Sequence, residues 1–217
     1  PLRYLASEPE TPASLRQLAA DAFALCARFE NVGEPERGSP ARHVKPRKQA
    51  QLEAFSAVAL REFAGVGRIV DLGSGHGHLT RALAEALRPG ETLGIDWDDR
   101  RVARAIDLAG ERGPRFLHAD ANAAIGAGVE LTTGDLVVGL HTCGDLGDAL
   151  VRRARDRGAD VLAVSCCFQK TDREERDALS RQALEARFSV RKDALGLANL
   201  SAVSFEGSGS PADKNAW

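Results

Sequence analysis

The chain has 217 residues, 43% of them hydrophobic and 28% charged, with a formal net charge of −2. That suits a globular protein with a substantial core, supplies no global basic field for nucleic acid, and contains no apolar run near the ~20 residues that span a bilayer. The four cysteines, Cys26, Cys143, Cys166 and Cys167, do not read as a secreted disulfide framework. With no signal-peptide pattern at the start, a cytoplasmic setting is the expectation.

Thr11 to Phe29 predicts an amphipathic helix, with Leu15, Leu18, Ala19, Ala22, Leu25 and Phe29 at helical spacing. Glu30 to Pro40 is a Gly/Pro-rich linker. Lys48 to Phe63 predicts a second helix, Ile69 to Leu72 a first strand, and Gly77 to Leu87 a strongly periodic helix stopped by Pro89-Gly90. The pattern then repeats. One strand ends at Asp96, Asp98 or Asp99 caps a helix bearing Val102, Ala105, Ile106 and Ala109, and Arg115 to His118 is the next strand. Asp135 to His141 and Asp160 to Cys166 read as strands buried on both faces, joined by a helix over Asp145 to Arg157. Thr171 with Glu174 has the form of a capping box opening a further helix. Phe188 to Lys192 and Ser201 to Phe205 are expected to close the sheet. The fold expectation is α/β: a doubly wound, mostly parallel seven-stranded Rossmann-like sheet with an N-terminal helical extension.

The string Val70-Asp71-Leu72-Gly73-Ser74-Gly75-His76-Gly77-His78-Leu79 carries the first functional signal. A strand leads to an acid, then to three alternate glycines, then to a helix. Alternate glycines let backbone approach a ligand where a Cβ would intrude, and the helix start is expected to aim N–H groups at that ligand. Asp96 follows nineteen residues after Gly77, where a nucleoside-binding βαβ unit holds ribose hydroxyls. Trp97 beside it either stacks on adenine or shields the sheet edge. Asp120, followed by Ala121, either bonds the exocyclic amine of adenine or caps a helix.

The loop is D-x-G-x-G-x-G rather than the G-x-G-x-x-G of dinucleotide enzymes, and it resembles motif I of class I S-adenosylmethionine methyltransferases. An acid at the loop suits an ammonium group and repels a diphosphate. An NAD oxidoreductase, or a turn that only tightens a βα connection, are the weaker alternatives.

Two more strings follow the fourth and fifth strands: Leu140-His141-Thr142-Cys143-Gly144-Asp145-Leu146 and Ser165-Cys166-Cys167-Phe168. With the Lys-rich Val44-Lys45-Pro46-Arg47-Lys48-Gln49, they resemble the branch of class I methyltransferases that holds the methyltransferase-like protein 25 family. The similarity covers roughly residues 43 to 170. It implies S-adenosylmethionine as cofactor, bound by Asp71, Gly73, Gly75, Gly77, Asp96 and Asp120, and the neighbouring Ser74, Trp97 and Ala121 complete the expected cofactor-binding set. It also implies His141 near the transferable methyl, and Lys45 as a second catalytic candidate. The domain expectation is a helical extension and linker over 1–40, a methyltransferase domain over 41–207, and a tail over 208–217 that reads as cut short.

Three readings of His141, Cys143, Cys166 and Cys167 stay open. One is a metal site using His141, Cys143 and one thiol of the pair, since adjacent residues on a strand point to opposite faces. Another is His141 as a general base. The third is small thiols packed under the cofactor. No metal is assigned. The acid-free basic run Arg37, Arg42, Lys45, Arg47 and Lys48 is either a clamp for a phosphate backbone or an anionic small substrate, or simply a solvated basic loop. Together with a more distant similarity to a group of tRNA 2′-O-methyltransferases, it makes RNA the expected methyl acceptor. A protein or small-molecule acceptor, or a non-catalytic S-adenosylmethionine- or RNA-binding module, are the other readings. No membrane partner is expected.

Overall fold

A computed structural model describes residues 9–26, 46–120 and 129–196. These residues fall into two compact units, one holding 9–26 and the other holding the rest. The first unit contains α1 (Ala13–Cys26). Arg16 opens it by donating to the Pro9 and Thr11 carbonyls, both at 2.9 Å. Ala19 is buried, whereas Leu15 and Leu18 of the expected apolar stripe are exposed.

Among the described residues the second unit begins with α2 (Pro46–Glu62), where Pro46 occupies a first-turn position that has no use for an N–H. Then come β1 (Arg68–Leu72), α3 (His78–Leu87), β2 (Glu91–Asp96), α4 (Asp99–Ala109) and β3 (Arg115–His118). They are followed by β4 (Asp135–Leu140), α5 (Asp145–Arg157) and β5 (Asp160–Val164). The five strands form one sheet in the order β3-β2-β1-β4-β5, every neighbouring pair parallel. All five carboxyl ends therefore lie along one edge. The strand order reverses between β1 and β4, which is where open α/β sheets bind ligands.

Alternation along the central strands builds two cores. Ile69, Leu136 and Val138 pack with Leu52, Phe55 and Ala59 of α2 and with Leu79 and Leu83 of α3. Val70, Leu72 and Val137 face the other way, onto Leu150 and Ala154 of α5. Leu136, Val137 and Val138 are all inaccessible to water, each burial contributing about 1.5–3 kcal/mol. A run apolar at every position is thus the signature of a strand covered on both faces. At the opposite edge Arg68 and Asp135, paired in register, make a bidentate ion pair at 2.9 and 2.6 Å that clamps β1 to β4.

The sheet differs from expectation in strand number, with five strands among the described residues rather than seven. Ser189–Arg191 (β7), within the segment expected to join the sheet, pairs instead with Glu175–Asp177 (β6) in a separate antiparallel ribbon. Ser201 to Phe205 lies outside the described residues. The capping box at Thr171 does not open a helix, because the Thr171 hydroxyl donates to Asp145 at 2.9 Å and accepts from the Arg173 N–H. The helix that follows, α6 (Arg181–Glu185), is capped by Ser180, and α7 (Lys192–Gly196) ends the described chain. Asp148 of α5, 3% exposed at its side chain, takes a two-pronged bond from Arg176 and ties the ribbon down. On α4 Asp98 is the N-cap, accepting from the N–H groups of Arg100 and Arg101, while Ile106 is exposed rather than part of the buried stripe.

Candidate active site

Each of the five parallel strands brings one of the singled-out residues to the shared edge. Asp71 is the penultimate residue of β1, Asp96 ends β2, Asp120 lies two residues beyond β3, His141 directly follows β4, and Cys166 lies two residues beyond β5. Lys45 and Ala121 lie outside the described residues.

The glycine loop runs from β1 to α3, and Gly73, Gly75 and Gly77 all have positive φ, at 73°, 56° and 69°. Their surroundings differ. A Cβ on Gly77 would sit 2.4 Å from the Phe116 ring, so this glycine admits β3 under the loop. Gly94 on β2 is forced by the same ring, 2.5 Å from its would-be Cβ. A Cβ on Gly75 would meet nothing within 4 Å, so bare backbone here faces open space.

The amides of Gly73, Ser74, Gly75 and Gly77 are spent internally. Gly73 and Ser74 donate to the Ile95 carbonyl at 2.8 and 3.0 Å, Gly77 donates to the Ser74 carbonyl, and Gly75 donates to Asp96 Oδ2 at 2.7 Å. A loop built this way offers no amide nest for a diphosphate. Asp96 also takes the Asp98 N–H on Oδ1 at 3.0 Å. A carboxylate has about four lone-pair sites, so roughly two remain for hydroxyls.

Asp71 sits one layer beneath the loop. It is 1% exposed and accepts a 2.6 Å bond from Thr80 Oγ1 on α3. Burial pushes its carboxyl up to about 7; the Thr80 bond opposes this, Asp96 adds to it, and Lys48 on α2 opposes it. Trp97 is 70% exposed, so it shields little of the sheet edge, and its carbonyl meets the His118 ring at 2.9 Å. Asp120 is exposed.

His141 adopts the left-handed region at φ 68°, unusual for a residue with a Cβ. Its N–H donates to the Val164 carbonyl at 2.8 Å, fixing it between β4 and β5. Its Nε2 lies 3.2 Å from Gln51 Oε1, the ring donating in the tautomer protonated there. The sequence did not mark Gln51. It lies one turn after Lys48 on α2, and that spacing is the only local signal that the start of α2 overhangs the strand ends.

The thiols come together more closely than strand alternation allows. β5 stops at Val164, so Cys166 and Cys167 are not on a strand, and both sulfurs turn toward Cys143. Cys143 Sγ lies 3.0 Å from Cys166 Sγ, and Cys166 Sγ lies 3.5 Å from Cys167 Sγ. Burial opposes ionisation of Cys143, but hydrogen bonds from Cys166 and from the Cys166 and Cys167 backbone bring its thiol below the usual range. Burial and the neighbouring sulfurs push Cys166 up to about 12.

These features fit a cationic nucleoside. The loop face at Gly75 is open, the donor-poor backbone suits a ligand without phosphates, and a carboxylate ends β2. Two buried hydroxyls, Ser74 Oγ after β1 and Thr142 Oγ1 after β4, have no hydrogen-bond partner among the described residues and flank the switch point.

A family model described as a methyltransferase domain matches residues 47–174. The chain is similar to a glutathione S-transferase C-terminal domain-containing protein of Mus musculus, 28% identical over 136 residues that cover 62% of this chain and 21% of that one. It thus spans about a fifth of that relative's length. Among solved structures it is similar to the PH0226 protein of Pyrococcus horikoshii OT3, at TM-score 0.47 and 16% identity over 76% of this chain and 84% of that one. It is also similar to an S-adenosylmethionine-dependent methyltransferase from Mesorhizobium loti, at TM-score 0.38 and 25% identity over 51% and 53% of the two chains.

Proposed function

The chain belongs to this methyltransferase-domain family, and on that premise we propose that it transfers the methyl group of S-adenosylmethionine to RNA. S-adenosylmethionine is the cofactor, and it supplies an electrophilic methyl on a sulfonium. The observation that carries the site assignment is the Asp96–Gly75 bond beside the open face of Gly75. It holds the β2 carboxylate directly against the glycine loop, next to the loop face that is open at Gly75.

In this reading Gly73, Ser74, Gly75 and Gly77 form the floor of the cofactor site. Asp96 receives the ribose hydroxyls, while Trp97, Asp120 and Ala121 are assigned to the adenine. Asp71, buried beneath the loop, acts through charge rather than contact: its ionised form favours the donor's ammonium. His141 faces the methyl acceptor between β4 and β5. Its constrained ring takes the acceptor proton, and the fixed backbone holds the attack in line. Lys45 is assigned to the acceptor side, three residues ahead of Lys48, whose charge reaches Asp71 from the start of α2.

The basic run Arg37 to Lys48 supports RNA as acceptor, because it leads directly into the helix that overhangs the strand ends. The three sequence strings support the methyltransferase-like protein 25 branch, with the methyltransferase domain over 41–207 and the helical extension over 1–40. The test is transfer of labelled methyl from S-adenosylmethionine in a cell extract, with the product divided by nuclease and protease. Label released by ribonuclease alone is the expected result. Label released by protease, or left in small molecules, overturns the RNA assignment, and donor binding without any product points to a non-catalytic module.

A further inference from the structure

We infer that Cys143, Cys166 and Cys167 form a three-thiolate site for a zinc-class soft metal ion at the carboxyl edge of β4 and β5. Their three sulfurs lie within 4.8 Å of one another, at the centre of two loops brought from positions more than twenty residues apart. Zinc binds thiolate at about 2.3 Å, which places sulfurs on a tetrahedral ion about 3.8 Å apart. The shortest pairs stand at 3.0 and 3.5 Å, so small side-chain rotations reach that spacing. A disulfide requires about 2.05 Å and uses only two sulfurs, leaving the convergence of the third without a reason.

The backbone around the sulfurs is built to hold them. His141 N–H donates to Val164 O at 2.8 Å, Ser165 Oγ donates to Thr142 O at 2.7 Å, and Asp145 N–H donates to Lys170 O at 3.2 Å. Lys170 N–H closes the second loop onto Cys167 O at 3.2 Å. Gly144 is what lets the loops touch, because a Cβ there would lie 1.6 Å from Lys170 O. This is an outer shell of the kind that fixes metal ligands before the ion arrives. Thiolates select zinc or copper(I) over hard cations. Cys166 is exposed, so the fourth position opens to solvent and takes water or an acceptor atom, as in sites with three protein ligands.

The reading does not depend on methyl transfer, and its test contains no cofactor. The full chain, purified under reducing conditions, is stripped with a chelator and titrated with cobalt(II), then with zinc(II) in competition. One cobalt per chain, with thiolate charge-transfer absorption and the intense visible bands of a tetrahedral ion, is expected, and zinc should displace it. Cys143→Ser and Cys166→Ser should each weaken binding by more than the ~10–100-fold that loss of an outer-shell partner costs, while Cys26→Ser leaves it unchanged. Circular dichroism checks that the variants fold; if they do not, the wild-type cobalt spectrum decides alone. A spectrum without charge transfer, equal binding by wild type and Cys166→Ser, or a Cys143–Cys166 disulfide in the reduced preparation overturns the site.

Discussion

The Asp71 carboxylate accepts a 2.6 Å hydrogen bond from Thr80 Oγ1, and neither side chain reaches water. The bond staples the end of β1 to the first turn of α3 and so sets the shape of the glycine loop between them. Because burial raises the Asp71 carboxyl to about 7, the folded state holds a proton there that the unfolded chain releases near pH 4. The sign follows from linkage: this contribution to stability is complete below about pH 4 and is lost as pH rises through about 7. Thermal unfolding across pH 4.5 to 8.5 checks it. Asp71→Asn should flatten the pH dependence and match or exceed wild type above pH 7. Thr80→Val should cost about 1–3 kcal/mol, more at pH 8 than at pH 5, because the ionised form needs the donor most.

Gly75→Ala and Gly94→Ala should fail in opposite ways. At Gly75 a methyl meets no neighbour, so folding loses only the cost of a left-handed residue, about 1–2 kcal/mol, while cofactor affinity falls by at least tenfold. At Gly94 a methyl overlaps the Phe116 ring, and stability falls by about 1–3 kcal/mol. Phe116→Leu should recover part of that loss in the double variant. Chemical denaturation paired with donor-binding calorimetry separates the two cases.

His141→Gly should raise stability and abolish activity. Its left-handed backbone suits glycine, so removing the side chain relieves strain of the order of 1 kcal/mol. Donor affinity should persist while kcat falls by about 10²–10⁴, the share a positioned acid–base group supplies. His141→Asn, which tolerates the same backbone, should be equally inactive. Retained kcat in both variants removes His141 from the chemistry.

Arg176→Ala should destabilise the second unit by about 3–5 kcal/mol, because it leaves the Asp148 carboxylate buried without its main partner. Arg173, 3.8 Å from the same carboxylate, recovers part of this, so Arg173→Ala combined with Arg176→Ala should cost more than either alone. Urea denaturation of the two single variants and the double variant measures the coupling.

The elements legible in the sequence were those whose pattern is local. β4 announces itself because every position from Leu136 to Val138 is buried, and α5 begins and ends at the predicted residues, Asp145 and Arg157. The misreadings arose where a distant partner took over. The Thr171 hydroxyl went to Asp145, 26 residues away, instead of starting a helix. Gln51 meets His141 across 90 residues, a pairing that no window of sequence contains. The thiol cluster was hidden by strand alternation, which lapses after Val164 and lets Cys166 and Cys167 turn the same way. The internal bonding of the glycine loop was equally out of reach, because the Ile95 carbonyl and the Asp96 carboxylate capture three of its amides from the neighbouring strand.

Calorimetric titration of S-adenosylhomocysteine into wild type and Asp96→Ala, at matched folding stability, tests the cofactor site most directly. One ligand per chain, with affinity reduced at least tenfold in the variant, is the result expected if Asp96 and the Gly75 face hold the nucleoside. Equal affinity in the two proteins contradicts it and moves the nucleoside to another part of the molecule.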